Sequence, residues 1–279
     1  MELITADKFT SEELTEAYNQ TRVDYLVPMP MNVARLREYV QTYDVALQHS
    51  FVAQKEGVTM GLGMLGVRED RTWITRLGVL PSGRRQGTGR VLMEGLLNRS
   101  AELGINTTWL EVIKGNKPAH TLFNKFGFVE TRELLVARRP PNPLTDNTFS
   151  QKIKRVTFLD HEEAIILLSH RQEKPNWLNQ TESLQNVRNL SALLVEMHNG
   201  GRGWVTYHGG LLQLTRIIVE VTKGDPAEVT ATVLHVLHQR HKRQDAVSEN
   251  VPAAAAKWPG YEQAGYFDSF RRIEMVREG

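Results

Sequence analysis

Apolar and polar residues follow two different periods along the first half of the chain. Apolar residues at every second position predict strands, and apolar residues recurring every three or four positions predict helices. Glycines, prolines and polar capping residues mark the ends of these segments. The pattern predicts an α/β fold, with strands at 2–6, 50–54, 59–67, 72–79, 107–112 and 128–137 and helices at 11–19, 33–40, 88–103 and 118–126.

The second half of the chain repeats this alternation. It predicts helices at 164–168 and 228–240, and strands at 153–158, 203–207 and 214–221. Gly127 and Gly265, 138 residues apart, each lie between a predicted helix and a predicted strand in similar stretches of sequence. This similarity indicates a divergent duplication of one α/β (α+β) unit. Between the halves, a proline-rich stretch predicts an extended linker. The predicted division is a first domain at 1–139, a linker at 140–149 and a second domain at 150–279.

Composition and charge narrow the functional classes. The formal net charge is only +2, and basic and acidic residues nearly balance in each half, so neither half has the basic field that nucleic-acid binding requires. Zero cysteines exclude disulfides, thiolate metal sites and a cysteine nucleophile. The first residues do not follow the signal-peptide pattern, and no apolar run approaches the ~20 residues of a membrane span. We expect a cytoplasmic protein that binds neither nucleic acid nor membrane.

A glycine-rich segment follows the strand at 72–79 and leads directly into the helix at 88–103. Gly87 and Gly89 allow a sharp bend and a close approach of a ligand to the backbone. The first N–H groups of a helix have no intrahelical partners, and the helix dipole is positive there, so the segment suits a pyrophosphate. Three arginines can add charge-assisted hydrogen bonds, namely Arg84, Arg85 and Arg90.

Other nucleotide-binding motifs fit this segment less well. A P-loop requires Gly-Lys-Ser/Thr, which the segment lacks. A dinucleotide-binding Gly-x-Gly-x-x-Gly would need its third glycine at the position of Leu92. Glu111 nevertheless follows Gly87 by about two dozen residues on a strand, as the acidic residue of that motif does. A dinucleotide-binding protein is therefore the main alternative at this point.

A second motif decides between these interpretations. It reads Asn116-x-x-Ala119-x-x-Leu122-Phe123-x-x-x-Gly127-Phe128. Together with Arg84-x-x-Gly87-x-Gly89 it resembles the GNAT superfamily of N-acetyltransferases, which carries both motifs in this order with a strand between them. The resemblance covers roughly residues 45–137. It implies tandem GNAT-like domains, each a twisted mixed β-sheet flanked by helices, of which the second lacks the first motif and is degenerate.

By this resemblance the first domain uses acetyl-CoA as a co-substrate. The pyrophosphate lies on the backbone of the glycine-rich turn, the pantetheine pairs with the preceding strand, and the second motif lines the other side. The resemblance implies cofactor binding by Leu77, Gly78, Val79, Arg84, Arg85, Gln86, Gly87, Thr88, Gly89, Arg90, Asn116 and Phe123. The implied reaction is transfer of an acetyl group to a primary amine by direct attack in a ternary complex.

Amine attack requires a base, because an amine is mostly protonated near neutral pH. In some family members a Glu in the strand before the second motif is this base, and a Tyr twelve residues later protonates the thiolate. Glu111 stands at the base position, but Phe123 stands at the acid position. Glu111 is the predicted catalytic residue, with a carboxylate that only organises water as the alternative. The acid that protonates the thiolate is either dispensable or replaced by Tyr25 or His120. The absence of a Tyr at position 123 also leaves a second alternative function, a non-catalytic acyl-CoA-binding or sensing protein.

The sequence indicates less about the acceptor amine and about the role of the second domain. His235, His238 and His241 lie near a helix C-terminus, where the dipole favours them, and no paired carboxylate is evident, so we predict no metal site. Eight acidic residues among the first 50 suit a cationic amine or form solvated helix faces. We predict a small-molecule or peptide amine as acceptor. We expect the second domain to bind no acetyl-CoA, and either to wall the substrate cleft or to form a homodimer interface.

Overall fold

Strands and helices alternate through the computed structural model, which describes residues 1–141 and 148–279. Most of the predicted linker, 142–147, lies outside the described residues. The elements of the first half are β1 (Glu2–Thr5), α1 (Ser11–Gln20), α2 (Val33–Thr42), β2 (Phe51–Lys55), β3 (Val58–Arg68), β4 (Arg71–Val79), α3 (Thr88–Glu102), β5 (Thr107–Ile113), α4 (Lys117–Lys125) and β6 (Val129–Arg139).

The second half continues in the same style. Its elements are α5 (Thr148–Lys152), β7 (Ile153–Leu159), α6 (His161–Ser169), α7 (Thr181–Gln185), β8 (Leu190–Met197), β9 (Arg202–Gly209), β10 (Gln213–Lys223), α8 (Pro226–Arg240), β11 (Asp245–Pro252), α9 (Trp258–Gln263) and β12 (Phe267–Glu278). None of the described helices combines the length and apolar character needed to cross a membrane.

These elements confirm the mixed α/β class. The pattern of the second half nevertheless left α5, α7, β8 and β11 unpredicted. β8 is rich in leucine, which suits a helix as well as a strand, and β11 contains aspartate, glutamate, asparagine and proline, which disfavour strands. α5 and α7 span five residues each, too few to show a helical period. Their neighbours in the fold, not their own sequences, decide their conformations.

Tertiary contacts divide the chain into two compact units. Unit 1 comprises Met1–Thr131 and Ile273–Gly279, and unit 2 comprises Arg132–Arg272. β6 therefore begins in unit 1 and ends in unit 2, whereas β12 begins in unit 2 and ends in unit 1. This division differs from the predicted one, which followed chain order, because the last strand of each half passes from one unit into the other.

The sheet of unit 1 runs in the order β1-β2-β3-β4-β5, followed by the end of β12. β1 to β4 are antiparallel, and β5 joins β4 in parallel. α3 covers one face with Leu92, Met93 and Leu96, which are fully buried in a core that also includes Met275 of β12. Burial of each such side chain contributes about 1.5–3 kcal/mol. The core thereby fixes α3 against the strands on either side of the glycine-rich turn.

β4 and β5 pair only along their first residues. The pairing ends with Ile74 opposite Leu110. Two residues later Arg76 has a φ of 51°, and the register of β4 with β3 shifts, which marks a bulge. In the described chain, β4 and β5 therefore separate beyond this point, and residues 77–79 have no strand neighbour on the β5 side.

Unit 2 repeats this plan. Its sheet runs in the order β6-β11-β10-β9-β8-β7, and β10 and β11 are parallel. Their pairing ends with Leu214 opposite Ala246, and two residues later Arg216 has a φ of 54°. α8 packs on the sheet with Val229, Val233, Leu234 and Leu237, all buried.

Candidate functional site

The glycine-rich turn joins the end of β4 to the start of α3. Arg85 and Gly87 have φ angles of 61° and 83°, so the backbone bends sharply within three residues. Gly87 is the N-cap of α3 and has no side chain with which to accept the first N–H groups of the helix. Thr88 Oγ1 donates to Gly83 O at 2.8 Å, and Gln86 Nε2 donates to a carbonyl of the turn at 2.7 Å. The turn therefore offers a helix N-terminus to an anion.

Gly89 stands where β4, α3 and α4 come together. A Cβ at this position would lie 3.3 Å from Leu122 Cδ2 in α4 and 3.6 Å from Val79 Cγ2 in β4. A larger side chain would fill the space that these elements border. The fold thus brings the two sequence motifs, 84–89 and 116–128, to one place.

The edge of β4 at 77–79 lies beyond the bulge. Leu77 O accepts a hydrogen bond from Arg22 Nη2 at 3.2 Å. Thr21 covers Gly78, because a Cβ on Gly78 would overlap Thr21 Oγ1. A strand edge without a neighbouring strand can pair with an extended ligand through its backbone groups.

The arginines of the turn have different partners. Arg84 Nη1 and Nη2 donate to the two carboxylate oxygens of Asp24 at 2.5 and 2.6 Å. The hydrogen bond from Arg84 lowers the pKa of Asp24, and the hydrogen bond to Asp24 raises the pKa of Arg84. Arg90 Nε donates to Glu94 Oε1 at 2.7 Å, one turn further along α3, and Arg85 is exposed.

Asn116 and Phe123, the two predicted cofactor residues of the second motif, have different surroundings. Asn116 Oδ1 accepts from Ala119 N at 3.3 Å and so caps the helix, while its Nδ2 donates to the Tyr25 hydroxyl at 3.2 Å. Phe123 is only 6% exposed and packs in the core of unit 1, with its ring centre 6.2 Å from that of Phe128. Phe123 therefore serves the core and carries no hydroxyl.

Glu111 lies on β5 just beyond the last residue paired with β4. It is half-buried, and its Oε2 accepts a hydrogen bond from Trp73 Nε1 at 2.9 Å. The buried Trp73 packs against Tyr39 of α2 and Tyr43 just after it, at ring-centre distances of 6.2 and 6.1 Å. Burial raises the pKa of Tyr39, which stays protonated near neutral pH. A carboxylate held beside aromatic rings suits a cationic amine.

The two suggested replacement acids lie in different surroundings. Tyr25 borders the predicted cofactor residues through Asn116. His120 Nε2 lies 2.7 Å from Glu130 Oε1, and its Nδ1 lies 3.3 Å from the Asn124 amide. The Tyr25 side chain therefore contacts a predicted cofactor residue, whereas the His120 side chain pairs with Glu130 and Asn124 and only its backbone N–H donates to Asn116 O.

The histidines of α8 have side-chain partners of their own. His235 Nε2 lies 2.9 Å from Ser150 Oγ, and the buried His238 Nε2 lies 3.0 Å from the Tyr266 hydroxyl. Across residues 1–141 and 148–279, no group of three or more His, Cys, Asp or Glu side chains could hold a metal ion. These histidines form packing and hydrogen-bonding contacts within unit 2.

The N-terminus of α8 corresponds to that of α3 but is acidic. Asp225 caps α8 by accepting from Glu228 N at 2.8 Å. Glu228 Oε1 in turn accepts from Lys152 Nζ at 2.8 Å. Carboxylates thus occupy the end of the helix that would otherwise favour an anionic ligand.

Side chains also donate hydrogen bonds to β10 and to β11 where these two strands separate. Lys257 Nζ donates to Val219 O at 2.9 Å and forms an ion pair with Glu173. Asn179 Nδ2 donates to Glu249 O at 2.9 Å. A cavity of about 20 Å³ remains beside these residues, room for about one water molecule. In unit 2, side chains of the chain itself therefore donate to a carbonyl on each of the two separated strands.

Sequence analysis missed four residues of the unit 1 cleft. Three of them lie in the connection between α1 and α2, which has no apolar period, and the fourth lies within β4 and reads as an ordinary core residue. No motif marks them, since each contact joins residues far apart in the chain. They are Thr21, Arg22, Asp24 and Trp73.

The first half of the chain has known relatives. Residues 11–128 match the family model of the Acetyltransferase (GNAT) family. The ribosomal protein bS18 alanine N-acetyltransferase of Escherichia coli strain K12 is 32% identical over 97 residues, which cover 35% of this chain and 63% of that enzyme. The chain thus spans less than two thirds of the length of this curated relative.

Solved structures resemble the chain over nearly its whole length. A GCN5-related N-acetyltransferase from Sphaerobacter thermophilus superposes with a TM-score of 0.68 at 13% identity, covering 99% of this chain and 93% of that one. A tandem GNAT protein from the clavulanic acid biosynthesis pathway superposes with a TM-score of 0.66 at 13% identity, covering 99% and 98%. At this identity the likeness shows the fold alone, and it confirms the predicted tandem GNAT-like architecture.

Proposed function

We propose that unit 1 transfers an acetyl group from acetyl-CoA to a primary amine by direct attack in a ternary complex, since residues 11–128 match the model of the Acetyltransferase (GNAT) family. One observation carries this function. The parallel strands β4 and β5 separate after Ile74 and Leu110, and the separated end of β4 leads through the glycine-rich turn to the N-terminus of α3. A thioester with a pyrophosphate tail needs both a backbone edge and an anion site.

The residues of the turn fit such a ligand. Among the described atoms, nothing lies within 4 Å of the place where a Cβ of Gly87 would stand. The pyrophosphate would accept from the N–H groups at the start of α3, with Arg84 and Arg85 adding charge. The amides of the pantetheine would pair with the backbone at 77–79, and Asn116 would border the same groove.

Glu111 is the proposed general base. It removes a proton from the amine, directly or through water, so that the nitrogen can form a bond to the acetyl carbon. The C–S bond then breaks, and CoA leaves as a thiolate. A backbone N–H on the strand ending at Val79 polarises the carbonyl oxygen. The hydrogen bond from Trp73 keeps one carboxylate oxygen of Glu111 in place.

The departing thiolate receives no proton from position 123. A thiol has a pKa of about 8.5, so its thiolate is a tolerable leaving group near neutral pH. The phenyl ring of Phe123 also supports a second candidate function, an acyl-CoA-binding or sensing protein without turnover.

The α-amine of a peptide is the first acceptor to test. The curated relative in E. coli is named for the acetylation of an alanine of a ribosomal protein. A peptide N-terminus carries an ammonium group that the Glu111 carboxylate and the Tyr43 ring could receive. Small-molecule amines are the alternative acceptors.

Thiol release from acetyl-CoA, measured with a panel of peptides and small amines, tests this function. We expect release in proportion to enzyme with at least one acceptor. We also expect acetyl-CoA to raise the unfolding temperature, whereas NAD and NADP leave it unchanged. Binding of acetyl-CoA without thiol release from any amine would favour the sensing protein. A thermal shift with NAD or NADP alone would favour a dinucleotide-binding protein.

A further inference from the structure

Residues 21–25, here called the strap, follow α1 and touch the proposed cofactor groove at four points. Every one of these four contacts involves a proposed cofactor-binding residue. The contacting pairs are Thr21 with Gly78, Arg22 with Leu77, Asp24 with Arg84, and Tyr25 with Asn116. The strap therefore lies along the strand edge, the turn and the start of α4 together.

The contact between Asp24 and Arg84 bears directly on phosphate binding. A guanidinium presents a planar fork of N–H groups that donates to a carboxylate or to a phosphate in the same way. Both Nη atoms of Arg84 donate to Asp24, and its Nε donates to Val79 O at 3.4 Å. A pyrophosphate oxygen that bound this fork would have to replace the Asp24 carboxylate.

The rest of the strap holds Asp24 in place. The Arg22 guanidinium lies 4.2 Å from the centre of the Tyr25 ring, a cation–π contact, while its Nη2 is bonded to Leu77 O. The Tyr25 hydroxyl accepts from Asn116 Nδ2 at 3.2 Å. Asp24 is thus flanked on both sides by residues anchored to the groove.

We infer that the strap closes the acetyl-CoA groove in the free protein, and that Asp24 is an internal competitor of the pyrophosphate for Arg84. This inference rests on the proposed function of unit 1. Acetyl-CoA then binds by exchanging one anion for another on Arg84, and the strap moves off the groove. The exchange is within reach, because the side chains of Arg84 and Asp24 are 40% and 56% exposed and such ion pairs are weak.

The opposite role is that Asp24 orients Arg84 for the phosphate. The two roles predict effects of opposite sign for Asp24→Asn, which removes the charge and keeps the shape. Competition predicts that the variant binds acetyl-CoA more tightly, by roughly two- to fivefold, the range expected for an exposed ion pair. Orientation predicts weaker binding.

Titration calorimetry of the full-length protein with acetyl-CoA separates these outcomes. Asp70→Asn is the matched control, because it removes the same charge in the β3–β4 turn, about 25 Å away at the other end of β4. We expect Asp70→Asn to change the affinity by less than about 1.5-fold, as a distant screened charge would. An Asp24→Asn affinity equal to that of the control, or weaker than wild type, would overturn the strap as a competitor.

Experiments with Arg84→Gln distinguish a failure of the strap inference from a failure of the proposed function. We expect Arg84→Gln to weaken binding about tenfold, and Asp24→Asn to add nothing in that background, since the contested donor is gone. Hydrogen exchange at the amides of residues 22–25 should also become faster when acetyl-CoA binds. Wild-type binding that weakens with Arg84→Gln, without faster exchange in the strap, would overturn the strap alone. A wild-type protein that does not bind acetyl-CoA would overturn the proposed function with it.

Discussion

In both unit 1 and unit 2, two parallel strands separate and leave a cleft between them. In each, two parallel strands pair briefly, and the pairing ends two residues before an arginine in the left-handed region, Arg76 with a φ of 51° and Arg216 with a φ of 54°. A threonine precedes the arginine in both strands. The pairing of the two parallel strands therefore ends at equivalent positions in the two units.

The two clefts differ in what satisfies their backbone groups. Polar groups at a strand edge must find partners in water, in a ligand or in side chains. In unit 1 the helix beside the cleft has Gly87 as its N-cap, among arginines, whereas the corresponding helix in unit 2 has Asp225 as its N-cap. In unit 2, Lys257 and Asn179 supply hydrogen bonds to the separated strands. A cleft of this kind can thus be closed from within by a few long side chains.

The position of the proposed general base shows the same contrast. Glu249 lies 138 residues after Glu111, at the spacing that relates Gly265 to Gly127. Glu111 accepts from a neutral indole, but Glu249 Oε2 forms an ion pair with Arg272 Nη2 at 2.8 Å. A carboxylate held by a guanidinium is a poor proton acceptor, because the cation stabilises its charged form.

Gly89→Glu should have the largest effect. The new carboxylate would stand about 4 Å from the pyrophosphate, where two unit charges repel by about 4 kcal/mol at an effective dielectric constant of 20, roughly a thousandfold in affinity. Calorimetry should show one equivalent of acetyl-CoA per wild-type chain and none for the variant. Gly89→Ala is the control and should keep most binding, because its methyl group meets the flexible end of Leu122 at 3.3 Å. Two equivalents per wild-type chain would reveal a site in unit 2.

Glu111→Gln and Glu249→Gln form the next matched pair. We expect the first to lower the rate of acetyl transfer at least about 100-fold at neutral pH, with little change in acetyl-CoA affinity. The second should change the rate less than about twofold, because Glu249 belongs to the closed cleft. Steady-state kinetics measures the rate of acetyl transfer, and calorimetry measures the acetyl-CoA affinity, for both variants. An unchanged rate in Glu111→Gln would leave Glu111 as a carboxylate that only organises water.

Lys257→Met tests what closes the cleft of unit 2. The side chain of Lys257 is 11% exposed, and its loss leaves Glu173 and Val219 O without this partner. We expect the free energy of unfolding in urea to fall by about 2 kcal/mol, without any new acetyl-CoA binding. Lys117→Met, at an exposed lysine in α4, should change it by less than about 0.5 kcal/mol. Equal losses in the two variants would show that Lys257 does not hold the cleft closed.

The smallest expected effect is a pH dependence confined to unit 2. Burial lowers the pKa of His238 well below its usual 6.5. The unfolded chain then binds more protons than the folded one below pH 6.5, so stability falls with falling pH, by up to about 1.4 kcal/mol per pH unit. Ser100 lies 138 residues earlier, so unit 1 has no such group there. Urea unfolding between about pH 7.5 and 5.5 should show this slope, and His238→Gln should flatten it.

Local signals predicted much of the unit 1 cleft. The helix after the glycine-rich turn begins at Thr88, as predicted, because a glycine N-cap and an amphipathic run act within a few residues of each other. Thr10 and Asp160 form capping boxes with Glu13 and Glu163, pairs only three residues apart in the sequence. The roles of Glu111 and of the predicted cofactor residues stay predictions.

The sequence by itself determined the alternating elements, the caps, the glycine-rich turn and the family motifs, since each depends on residues close together in the chain. Only the tertiary structure decided that β6 and β12 divide between the units. It also decided that Asp24 meets Arg84 across 60 residues and that Trp73 meets Glu111 across 38. Such contacts depend on how whole strands and helices pack, which the periodicity of a single segment does not encode.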